Sequence, residues 1–204
     1  MNESNAPHQV DVYWSMMSPY CYFLLPRLLK LDARDDVDVG IRPVRPGALR
    51  LPESFSSRSK VERDYFDRDT ARTAAFLGMD YAVPDPFPVP FKPGTWEAAD
   101  EQPVIDRLHG LLMAAVAAGR GLEFLGHMMP RIWAGKHPGW DQTMEADFAW
   151  MELTVDPAGY ATEIEANEAA MYAAGHWGVP LMVYRGEPFY GQDRFDQLLW
   201  RIDA

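Results

Sequence analysis

Ser18-Pro19-Tyr20-Cys21 is the stretch whose residue types and spacing best suit chemistry. A hydroxyl and a thiol stand three residues apart where a strand gives way to a helix. Both lie near unpaired backbone N–H groups and the positive end of the helix dipole. That setting favours an anion, a thiolate among them. The same residues have a plainer reading, with Ser18 as helix N-cap and Cys21 as a small buried hydrophobe. A second stretch is Gly178-Val179-Pro180. Proline at the start of a strand is ordinary, and only about 5–6% of X–Pro bonds in folded proteins are cis. A cis bond here would let the Val179 N–H and C=O face a peptide-like ligand and pair with it as a short strand. In a third stretch, Gly191-Gln192-Asp193-Arg194, Asp193 is either a favourable charge at a helix start or an acceptor for a ligand ammonium.

These residues need elements to hold them. Val10, Val12 and Trp14 alternate with polar neighbours and read as a strand. Ser18 and Pro19 then start a helix through Leu31, which Pro26 should kink. Val37, Val39 and Ile41 alternate again, completing a βαβ unit with parallel strands and a right-handed crossover. Pro43, Pro46, Gly47 and Pro52 break the pattern. Helical segments are expected over 61–77, 103–118, 122–134, 141–155 and 157–174, the last capped by Asp156-Pro157. The proline-rich segment 80–94 should wrap the surface in extended form. After Gly178 come a strand over 179–184, a turn at 185–187, a short strand and a final amphipathic helix. The order is βαβ, a helical block, then ββα. It predicts an α/β fold, a sheet domain formed by 1–45 and 176–204 and interrupted by an all-helical insertion over 46–175.

Composition narrows the function. The chain has 204 residues, 48% of them hydrophobic, enough for an ordinary core. Its single cysteine excludes an internal disulfide and four-thiolate metal sites. The net charge of -11 argues against nucleic acid or an anionic membrane as main partner. Residues 1–60 hold eight basic and seven acidic residues, so the acid falls beyond the first constellation. The histidines His8, His109, His127, His137 and His176 show no metal-ligand spacing, so no metal is expected. His176 precedes the Gly-Val-Pro step, where it either lines the site or sits in a solvated loop. Met16 and Met17 either wall a pocket or pack under the first strand. Trp133, Trp140, Trp150 and Trp177 read as helical core, with some roofing a pocket. The polar start, Met1 to His8, suggests no signal peptide, and no apolar run is long enough to span a bilayer, so a cytoplasmic location is expected.

Together the three stretches, in this order around a helical block, resemble the 2-hydroxychromene-2-carboxylate isomerase and kappa-class glutathione transferase family, a thioredoxin-like branch related to periplasmic disulfide oxidoreductases. Arg42-Pro43 after the second strand, and Tyr65, Asp69 and Arg72, add to the likeness. The resemblance implies a thioredoxin-like fold and a glutathione site. Ser18 would hold the glutathione sulfur as thiolate, Val179 before a cis Pro180 would pair with the cysteinyl unit, and Gln192 and Asp193 would meet the γ-glutamyl end. Met17, Tyr20, Cys21 and His176 would border the pocket. In the isomerase, the thiolate adds reversibly to an aromatic substrate, permits bond rotation and is expelled, a form of covalent catalysis. A homodimer is implied by analogy alone.

Three positions depart from the family pattern. Cys21 replaces a second serine, the asparagine of an Asn-x-Pro-Pro context is missing from 49–59, and Glu62 stands where a lysine would meet the glycyl carboxylate, with Lys60 and Arg63 close by. Two alternatives therefore stand beside the isomerase. One is a kappa-like transferase or thiol–disulfide oxidoreductase; a lone thiol cannot complete an internal dithiol cycle. The other is a thioredoxin-like binding module without catalysis.

Overall fold

A computed structural model describes residues 7–153 and 157–204. Strand β1 (His8–Trp14) pairs in parallel with β2 (Val37–Pro43), placing Val10 beside Val39 and Val12 beside Ile41. β3 (Leu181–Tyr184) runs antiparallel to β1, and β4 (Glu187–Tyr190) antiparallel to β3. The order is β2-β1-β3-β4, so β1 and β3 are central. The β3–β4 turn puts Arg185 and Gly186 at φ of 51° and 79°, which suits a two-residue hairpin and twists with the strands.

Between β1 and β2 runs α1 (Pro19–Asp32), one unbroken element through Pro26. It packs Phe23, Leu24 and Leu28 into the core with Val12 and Trp14 of β1. Each such side chain contributes about 1.5–3 kcal/mol by leaving water. The connection from β2 to β3 is almost entirely helical: α2 (Gly47–Arg50), α3 (Pro52–Ser56), α4 (Lys60–Leu77), α5 (Pro103–Ala117), α6 (Gly121–Trp133), α7 (Trp140–Ala149) and α8 (Ala161–Ala173). α9 (Phe195–Ile202) closes the chain. The mixed sheet interrupted by helices is the thioredoxin-like α/β architecture. Leu108, Leu112, Phe124 and Met128 of α5 and α6 belong to the same buried cluster as α1 and β1, so one core serves sheet and helices.

The structure corrects several local expectations. The breakers after β2 give way to two single-turn helices, because Pro52 supplies the fixed φ of a first helical position. The helix expected over 141–155 ends at Ala149, and Glu152 takes a φ of 52°, outside helical space. The stretch 157–174 splits into a 3-10 turn, Pro157–Tyr160, and α8. Asp156, the expected cap, and Val155 lie outside the described residues. Segment 80–94 is irregular, yet Val89 is fully buried, so it packs inward as well as covering the surface.

Candidate active site

Ser18 has extended backbone angles, φ -97° and ψ 117°, and its Oγ accepts the Cys21 N–H at 3.3 Å. It is therefore the N-cap of α1, as its sequence context requires. The role does not exhaust the hydroxyl, which keeps its hydrogen free to donate. The Tyr20 N–H has no backbone partner among the described residues. A rotatable O–H, an unpaired N–H and the start of a 14-residue helix thus converge on one point. Such convergence stabilises an anion, the dipole alone contributing about 0.3–1 kcal/mol.

That point opens on a cavity of about 460 Å³. Met17, Ser18, Pro19 and Tyr20 form its floor with Ser15, whose buried Oγ has no partner among the described residues. Gly178 and Val179 line it from the start of β3, and Tyr190 from the end of β4. Phe55, Phe66, Tyr81, Phe87, Phe91, Trp96, Trp133 and Trp177 make the wall aromatic. The two methionines separate: Met17 faces the cavity, whereas Met16 is fully buried, its carbonyl accepting the Trp133 indole N–H at 3.1 Å. Trp140 is core, and exposed Trp150 lies over Arg120.

The Val179–Pro180 bond is cis. Val179 precedes the paired part of β3, and its N–H and C=O have no partner among the described residues. Pro180 itself is buried, its carbonyl accepting the Gly191 N–H at 2.9 Å. A Cβ on Gly178 would come within 2.5 Å of Tyr190 Cε2, so only glycine lets the tyrosine ring lie against this backbone.

Cys21 does not border the cavity, correcting the expectation. One residue into the helix from Tyr20, it is wholly buried, and burial pushes its thiol up to about 12 despite the opposing Ser15 backbone and Ser18 hydroxyl. It packs as a small hydrophobe. His176 also stands off the cavity: it stacks on Tyr190 with ring centroids 3.9 Å apart, and its Nδ1 accepts the Gly178 N–H at 2.8 Å. It supports Tyr190 from behind. Gln192 and Asp193 are not brought to the cavity wall either. Arg27 of α1 donates to the Gln192 carbonyl at 2.7 Å and to its side-chain oxygen, while Asp193 pairs with Arg194 at 2.7 Å. Tyr20 does line the cavity and donates to Asp69 of α4 at 2.5 Å; Arg72 also binds Asp69. Burial foremost, then the Asp69 bond, pushes the Tyr20 phenol well above its ordinary value.

Glu62 lines the cavity where a cation was expected, yet its carboxylate is occupied. It accepts the Ser59 N–H at 2.8 Å and the Ser59 hydroxyl at 2.7 Å, completing a capping box at the start of α4. The Ser59 hydroxyl, then its N–H, hold the carboxyl below its usual range. Cations come from other positions, Arg50, Arg58 and Arg63, none within 4.0 Å of a carboxylate among the described residues. Arg63 stands beside the expected cation position, but nothing in the spacing marks Arg50 or Arg58, nor Phe55 or Tyr190, because the cavity draws them from separate elements. The Ser59-x-x-Glu62 pattern, by contrast, is a readable cap signal.

A DsbA-like thioredoxin domain profile matches residues 9–203. The chain belongs to that family. No curated protein matches the sequence at a significant level. Among solved structures, a 2-hydroxychromene-2-carboxylate isomerase is similar over 96% of this chain and 94% of its own, with TM-score 0.64 and 19% identity. A protein described as a "probable DsbA oxidoreductase", from Streptomyces coelicolor, is similar over 96% of this chain and 89% of its own, with TM-score 0.61 and 22% identity. At these identities the likeness is one of fold. No helix among the described residues is long and apolar enough to cross a membrane.

Proposed function

We propose that this DsbA-like domain is a glutathione-dependent isomerase of the 2-hydroxychromene-2-carboxylate type, acting on a flat aromatic substrate. The observation that carries the reading is Ser18, an N-cap hydroxyl opening on an aromatic cavity, with the only thiol of the chain buried beneath it. Bound glutathione supplies the nucleophilic sulfur that the protein lacks. The Ser18 hydroxyl and Tyr20 N–H hold that sulfur as thiolate at the start of α1. The unpaired Val179 N–H and C=O suit the cysteinyl unit. Arg50 donates to the Trp177 carbonyl at 3.1 Å, which sets its guanidinium near this backbone and fits it to the glycyl carboxylate. Asp193, exposed and paired with Arg194 outside the cavity wall, would have to turn from that partner to meet the γ-glutamyl ammonium, whereas Gln192 is held by Arg27. The aromatic wall excludes water from the substrate ring.

Burial of Cys21 disfavours thiol–disulfide exchange, since attack needs an accessible thiolate. Turnover of 2-hydroxychromene-2-carboxylate, followed by absorbance at saturating glutathione, tests the proposal. Ser18→Ala should lower kcat by about 10–100-fold, the loss of one charge-assisted hydrogen bond to the thiolate. Full activity in that variant, or no calorimetric binding of millimolar glutathione, would sink it.

A further inference from the structure

The arginines of the cavity are held in different ways, and the difference points to a second recognition element. Arg50 is tied to the backbone beside Val179. Arg58 and Arg63 are held instead by aromatic faces: Arg58 lies 4.6 Å from the Phe55 centroid and Arg63 5.5 Å from that of Trp96. Phe91 stacks parallel to Phe55 with centroids 5.9 Å apart and meets Trp96 edge-on at 5.4 Å. This group thus offers flat apolar faces and two guanidinium groups without an ion pair among the described residues. Glu62 and Asp67 are the carboxylates lining the cavity; an oxygen of Glu62 already serves Ser59, and neither comes within 4.0 Å of these guanidinium groups. A guanidinium stacked on a ring can still turn N–H groups to a planar anion; Arg63 spends one of its five on the Arg58 carbonyl and keeps the others.

We infer that Arg58 and Arg63 form a carboxylate clamp for the second, aromatic substrate, setting its ring against Phe55, Phe91 and Trp96. The inference deepens the proposed function by naming the groups that select an anionic substrate, yet the clamp binds its ligand with or without a thiol. Arg50 and Val179 then serve the tripeptide, and the two stacked arginines serve the substrate.

Calorimetry without glutathione gives the test, using 2-naphthoate and its uncharged counterpart 2-naphthamide as probes. The acid should bind at least tenfold more tightly than the amide, the usual scale for a charge-assisted contact. The preference should collapse in Arg58→Gln/Arg63→Gln and shrink in 0.5 M salt. Arg63→Lys, which keeps the charge without the planar fork, should retain part of it. Equal binding of the two probes by the native chain, no binding of either, or a preference surviving the double substitution in a protein with native circular dichroism would each overturn the clamp. A clamp that holds while glutathione fails to bind would remove the thiol reading and leave this one standing.

Discussion

Two helices that line the cavity are held in different ways. α1 buries Pro19, Cys21, Tyr22, Phe23, Leu24, Leu25, Leu28 and Leu31 among its 14 residues. α4 has 18 residues and buries only Thr70 and Ala74. Beyond a thin apolar seam through Phe66, Ala74 and Leu77, α4 is fixed by polar contacts: the Ser59–Glu62 capping box at its start and the Tyr20–Asp69 bond to α1. The group assigned to chemistry, Ser18, therefore stands on an element locked by the core. Of the groups that meet a substrate, Arg63 stands in the first turn of α4, which opens at lower cost, and Arg58 directly precedes its cap. The contrast suits an enzyme whose nucleophile must be placed closely while its substrate wall adjusts.

The largest expected difference is in stability. Leu24→Ala in α1 removes a fully buried side chain and should cost about 2–5 kcal/mol in urea unfolding. Phe76→Ser in α4 alters a side chain 86% exposed and should stay within about 0.5 kcal/mol. Similar losses from the two would erase the distinction between the helices.

Cys21 sharpens the same contrast through pH. Its folded thiol titrates near 12 against an ordinary 9.0. Both states carry a neutral thiol below 9.0, so its contribution is then fully present. As pH climbs from 9.0 towards about 12 the unfolded chain ionises first, and stability falls. Native Cys21 should lose stability over this window more steeply than Cys21→Ala. At pH 8, labelling by a disulfide reagent should run roughly a thousandfold slower than in the denatured chain. Rapid labelling of the folded protein would place Cys21 at the cavity after all.

How far the sequence disclosed all this depends on the range of the forces involved. The alternation of Val10, Val12 and Trp14, and of Val37, Val39 and Ile41, reads directly as β1 and β2, because one buried face imposes a period of two. Ser18-Pro19 announces the start of α1, and Gly78 the end of α4, because caps are chemistry within one turn. Helices α2 and α3 escaped notice because single turns leave no periodicity. Ser18 and Val179 were found because each marks a junction of elements. Arg58, Trp96 and Tyr190 were not, and Arg63 stood out only as a cation close to Glu62, since a cavity wall assembled from separate elements has no signature along the chain. Cys21 shows the limit of spacing: three residues from Ser18 in sequence, its side chain turns into the core instead. Glu62 shows the converse. Its carboxylate looked like a defect in an anion site until its partner, Ser59, accounted for it.

The smallest expected effect bears most closely on that partner. Ser59→Ala removes the hydroxyl that accepts the Glu62 N–H and donates to the Glu62 carboxylate. Losing an N-cap side chain costs about 1 kcal/mol, a factor of about five in an opening equilibrium. Because α4 is held locally, the opening should also be local. Amide exchange of Glu62 and Arg63 should quicken by about that factor, while the amides of Leu24, Leu25 and Leu28 keep their native rates. The clamp should register the change, because Arg63 lies in the first turn of α4 and donates to the Arg58 carbonyl. Binding of 2-naphthoate should weaken in Ser59→Ala, whereas that of 2-naphthamide should change less. Faster exchange throughout α1 would mean that one cooperative unit spans both helices, and the adjustable wall would then be as firmly built as the floor.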